Sequence, residues 1–82
     1  MQQYIGEYEI GSDLHVIISV KNNELVAAPT GQPESVIYAL KENLFFVKEQ
    51  DIQIEFTRND QKEVTGFILY QGGAKITCKK IK

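Results

Sequence analysis

Three side chains in the first quarter of the chain invite a nucleophile, a base and an orienting acid: Ser19, His15 and Asp13. Their odd numbers put them on one face of an extended segment. At ~3.3 Å per residue, His15 and Ser19 stand roughly 13 Å apart, whereas a working pair needs contact at ~3 Å. The triad fails on distance, and only Asp13 with His15 is close enough to form a contact. The serines also lack the companions of known hydrolase motifs. Ser12, Ser19 and Ser35 precede His15, Asn22 and Tyr38 by three residues, not a lysine, and none sits between the glycines of a nucleophile elbow.

The other reactive sets are as sparse. Glu7 and Glu9 share a face and flank Tyr8 on the wet side of the first segment, where carboxylates are solvated and keep ordinary acidity. Asp51 and Glu55 are separated by roughly 13 Å if extended. One His and one Cys supply too few ligands for a structural zinc site, and Asn59-Asp60-Gln61-Lys62 lacks the acids and glycine of a calcium loop. Gly72-Gly73-Ala74-Lys75 has the residue types of a phosphate cradle but leads into no helix, so it reads as a hairpin. No cofactor is expected, and no catalytic constellation either.

Elements that would position any site follow from period-two alternation, clearest in Leu14-x-Val16-x-Ile18-x-Val20 and Ile52-x-Ile54-x-Phe56. Turn-forming clusters such as Asn22-Asn23, Thr30-Gly31-Gln32-Pro33 and Gly72-Gly73 cut the chain into eight segments near 3–10, 13–21, 24–29, 34–40, 43–49, 51–58, 63–71 and 74–81. The fourth admits two readings, a strand or a short helix opened by Pro33. Short connections demand antiparallel neighbours. A meander of eight short strands has two open edges unless it rolls up, so the expected fold is all-β, a small up-and-down barrel, closed or half-open. Eight aromatic residues favour a filled interior.

Eighty-two residues with 43% hydrophobic content make a single domain over residues 1–82 with a thin core. A formal charge of −2 offers no general attraction to nucleic acid. The acids all lie within residues 1–74, while Lys75, Lys79, Lys80 and Lys82 crowd the last strand, where lysines discourage edge pairing. Cys78 has no partner for a disulfide and reads as a small buried apolar residue. No stretch approaches the ~18 apolar residues of a membrane-spanning helix, and residues 1–4 lack the features of a signal peptide.

Several pieces in order, Tyr4-x-Gly6-x-Tyr8, Leu14-x-Val16, Leu25, Thr30-Gly31-Gln32-Pro33, Phe45-Phe46, Ile54-x-Phe56, Val64-x-Gly66-Phe67 and Lys79-Lys80-Ile81, carry a resemblance over residues 4–81. The chain resembles the small domain of unknown function that follows the catalytic domain in many bacterial beta-lactamase-related serine hydrolases and penicillin-binding-protein-like esterases. The resemblance implies a lipocalin-like accessory module without catalytic residues, in a periplasmic or extracellular setting. No hydrolase domain precedes it here, so the chain is expected to be either a piece of a larger protein or a free-standing relative.

Two functions follow as expectations. The first is an accessory or interaction module that docks on an adjoining hydrolase-like domain or another protein. Its contacts would be apolar residues out of phase with the core, for which Ile17, Ile37, Phe45 and Phe67 are the candidates. The second is a barrel holding a small apolar ligand among Tyr8, Tyr38, Phe56 and Tyr70, which requires a cavity of at least ~300 Å³.

Overall fold

A computed structural model describes residues 2–11, 14–48 and 50–82. A 3-10 turn, η1 (Gln2–Tyr4), leads into eight strands: β1 (Gly6–Ile10), β2 (Leu14–Lys21), β3 (Glu24–Pro29), β4 (Ser35–Lys41), β5 (Leu44–Val47), β6 (Ile52–Arg58), β7 (Val64–Gln71) and β8 (Ala74–Lys80). Each strand pairs antiparallel with the next, and β8 returns to β1, so the sheet is a closed barrel in meander order. The segment after Pro33 is a strand, paired to β3 through Leu25↔Ile37 and Val26↔Val36.

The turns follow local chemistry. Asn22 and Asn23 have φ of 54° and 66°, the left-handed pair that a two-residue turn needs to match strand twist; Gly72 and Gly73 do the same at 54° and 87°. Two irregularities settle the phase of the apolar residues. One extra residue in β4 between the Ala39↔Phe45 and Lys41↔Leu44 pairs throws Leu40 to the exterior. A second, between the Thr57↔Gly66 and Arg58↔Val64 pairs, turns Thr65 outward and Val64 into the core.

The barrel has two unlike ends. Around η1 and the β2–β3, β4–β5 and β6–β7 turns, Tyr4, Tyr8, Phe45, Phe56 and Phe67 pack edge-on or tilted at centroid distances of 4.4–5.9 Å. This aromatic cluster plugs the lumen. A polar cap seals it: the Tyr8 hydroxyl donates to the Tyr4 carbonyl at 2.7 Å, while the Tyr4 hydroxyl and the Arg58 Nε–H both donate to Asn43 Oδ1, at 3.1 and 2.9 Å. Arg58 also lies over the Tyr4 ring, 5.5 Å from its centroid. At the opposite end the inward positions are aliphatic or small, including Ile10, Val16, Ala27, Ser35, Ile52 and Ile76, and the lumen there is not filled. The expectation of an interior packed throughout therefore holds for one end only, because every inward-facing ring lies toward the other.

Among the described residues no helix is long and apolar enough to cross a membrane.

Candidate ligand cavity

The unfilled end is a cavity of about 370 Å³ with Phe67 at its floor. Alternation in β1, β2, β6, β7 and β8 delivers aliphatic side chains to its wall: Ile10, Val16, Ile52, Ile54, Leu69 and Ile76. Ala27 and Ser35, paired across β3 and β4, contribute the smallest side chains of the wall. The rim comes from two connections and the end of β7. The β3–β4 loop brings Thr30, Gln32 and Pro33, the β5–β6 loop brings Gln50, and Gln71 stands at the β7–β8 turn.

The β3–β4 part of the rim is fastened to the barrel. Thr30 donates from both its backbone N–H and its hydroxyl to the His15 carbonyl, at 2.9 and 3.0 Å, and its Oγ1 accepts from the His15 N–H at 3.1 Å. Gln32 N–H closes the turn on the Pro29 carbonyl at 3.1 Å, with Gly31 at a φ of 74° making the reversal possible. The Thr-Gly-Gln-Pro sequence thus builds one lip of the mouth. A second hollow of about 270 Å³ lies outside, where β4 and β5 splay beyond their Ile37↔Val47 pair; it shares Ser35, Val47 and Gln50 with the cavity and adds Glu34, Tyr38 and Lys48.

Of the docking candidates, only Ile17 is at the surface, 52% exposed on the outer face of β2. Ile37, Phe45 and Phe67 are buried in the core and present nothing to a partner, because the register at Ile37↔Val47, Ala39↔Phe45 and Phe67↔Cys78 keeps them in the inward phase. Phe46, not Phe45, takes the outer position, against Tyr38 at 5.7 Å. The ligand candidates also divide. Tyr8 and Phe56 belong to the aromatic plug, with no free surface to offer. Tyr38 and Tyr70 alternate with inward neighbours and sit on the outer wall, Tyr38 beneath the Lys48 ammonium at 5.2 Å and Tyr70 donating to Glu55 at 2.8 Å. That hydrogen bond, then partial desolvation, holds the Tyr70 hydroxyl above its ordinary pKa. The four do not form one site.

The reactive residues are likewise dispersed. His15 Nδ1 meets Glu7 Oε2 at 2.5 Å on the outer face. Asp13 and its contact with His15 lie outside the described residues. Cys78 is buried against the plug, and burial pushes its thiol from 9.0 to about 11, so it is a core residue that stays protonated. No group of three or more His, Cys, Asp or Glu poised for a metal occurs among the described residues.

An apolar ligand cavity was expected among Tyr8, Tyr38, Phe56 and Tyr70, none of which lines this one, yet a signal for its actual place exists. Once a meander is assumed, alternate ends of successive strands share one end of the barrel, and the inward aromatic residues then all collect opposite Ala27 and Ser35. Compared with models of protein families, with curated proteins and with solved structures, the chain shows no match.

Proposed function

We propose that this barrel is a non-catalytic binding module that takes one small apolar molecule into its open end. The observation that carries the reading is the aliphatic cavity of about 370 Å³ above a solid aromatic floor, within the ~300–1,000 Å³ range of small-molecule sites. Burial of a ligand's apolar surface supplies the affinity at roughly 25 cal/mol per Å² before association costs are subtracted. The test is a titration with the fluorescent apolar probe N-phenyl-1-naphthylamine. A saturable rise in emission, abolished by Ala27→Phe in a folded protein, is expected; a flat titration with the folded wild type rejects the reading.

A second reading, docking onto an adjoining serine-hydrolase-like domain or another protein, has its own support. Ile17 stands opposite Glu7, whose backbone carbonyl receives the Ile81 N–H at 2.8 Å, so the exposed residues Ile17 and Ile81 flank one position on the β8–β1–β2 wall. Such a strip suits a contact surface. The resemblance to hydrolase accessory modules adds a periplasmic or extracellular setting to this reading. Ile17→Asp with Ile81→Asp is expected to abolish association with a hydrolase-like domain while leaving probe uptake unchanged; retained association contradicts docking at this strip.

A further inference from the structure

The rim of the cavity has a chemistry that narrows what the cavity can accept. Gln32 and Gln50 come from two separate connections and Gln71 from the end of β7, and with Thr30 and Ser35 they are the polar side chains of the mouth, apart from His15, among the described residues. The His15 ring is already engaged outside with Glu7. None of the three glutamine side chains forms a hydrogen bond with another described residue. Each carboxamide offers two N–H donors and one carbonyl acceptor, so the mouth can both give and receive hydrogen bonds without carrying charge.

A carboxylate held there would lose part of its water and find no lysine or arginine in the lining. An alkylammonium fares poorly for a different reason. It is a strongly hydrated donor without an acceptor, so it would leave the carboxamide N–H groups unanswered. The volume sets the size: about 370 Å³ is on the order of a dozen water-sized groups at ~30 Å³ each.

Resting on the cavity reading above, we propose that the ligand is an uncharged amphiphile, an apolar body of about a dozen heavy atoms ending in a neutral group that both donates and accepts hydrogen bonds, an amide or alcohol, read by Gln32, Gln50 and Gln71. Rejection of acids and amines of the same length is part of the site's specificity.

The experiment displaces N-phenyl-1-naphthylamine from the full chain at neutral pH with decanamide, decan-1-ol, decanoate and decylammonium, each below its aggregation concentration. The neutral pair is expected to compete at concentrations about tenfold lower than the charged pair, because the lining contributed by the described residues supplies hydrogen bonds but no lysine, arginine or carboxylate. Gln50→Leu with Gln71→Leu should erode that preference, read as the ratio of neutral to charged competitor concentrations against the probe affinity measured for each protein. Equal competition by decanoate or decylammonium overturns the proposal, as does a preference indifferent to the glutamine replacements. Tight decanoate binding that Lys48→Met removes would place the head in the outer hollow and also overturn it. Those outcomes leave the cavity reading standing, whereas a folded protein that takes up no naphthylamine removes both.

Discussion

Gly66 has no room for a methyl group. A Cβ there would collide with the backbone carbonyl oxygen of Cys78 on β8, and neither atom belongs to a flexible side chain that could yield. Gly66→Ala is expected to cost about 1–3 kcal/mol through forced separation of β7 and β8, measured as a lowered urea midpoint. Titrating core groups give a second residue-scale expectation. Burial raises the Cys78 thiol from 9.0 to about 11, and burial followed by the influence of Tyr4 raises the Tyr8 hydroxyl from 10.0 to about 12. For both, the folded state keeps its proton to higher pH than the unfolded chain. Their stabilising share is therefore intact below pH 9.0, declines as the unfolded groups ionise from pH 9.0 to 10.0, and is lost by about pH 11 to 12. Urea midpoints should fall across that interval, and Cys78→Val should remove the earlier part of the fall. A midpoint flat to pH 11 in the wild type would contradict the burial of both groups. At this scale the sequence was readable for Cys78 as a core residue. It was not readable for Ile37, Phe45 and Phe67, because whether an apolar residue falls in or out of phase depends on register across neighbouring strands, which alternation within one strand does not reveal.

Among the elements, the β2–β3 turn and the β1–β8 seam bear opposite loads. Asn22-Asn23 adopts left-handed φ at both positions, 54° and 66°, and a glycine at the second position is the favoured partner of asparagine in such turns. Asn23→Gly is expected to raise stability by roughly 0.5 kcal/mol or more, since asparagine carries the left-handed penalty that glycine avoids; chemical denaturation tests the sign. The seam that closes the barrel is short. Only Tyr8↔Lys80 and Glu9↔Lys79 pair within strands, extended by bonds between Glu7 and the backbone of Ile81 and Lys82, against seven paired positions between β6 and β7. Amides at the β1–β8 seam should exchange with deuterium faster than those of β6 and β7, and uniform protection would contradict a seam that opens first. Strand boundaries were readable to within a few residues because turn chemistry marks them. η1 was not, since three residues with no periodic pattern give no signal of a 3-10 turn. The fourth segment resolved as β4 because its partners in β3 and β5 decide between strand and helix, and those partners lie outside any local window.

Over the whole molecule, the division into a plugged end and a hollow end organises both stability and binding. Replacements at the plug should unfold the protein, and those at the hollow should spare the fold but change uptake. Phe56→Ala, which removes a ring packed against Tyr4, Tyr8, Phe45 and Phe67, is expected to cost about 3–5 kcal/mol. Ala27→Phe fills existing space and should be tolerated. The closed meander followed from alternation and turns, whereas the hollow depends on how side-chain sizes sum around each layer of the barrel, a quantity that no single strand contains. The most direct measurement is the naphthylamine titration of wild type and Ala27→Phe side by side, with folding of both verified by denaturation. Saturable uptake by the wild type and none by the filled variant is the expected result; uptake unchanged when the hollow is filled, or absent from a folded wild type, would contradict a ligand site in the open end of this barrel.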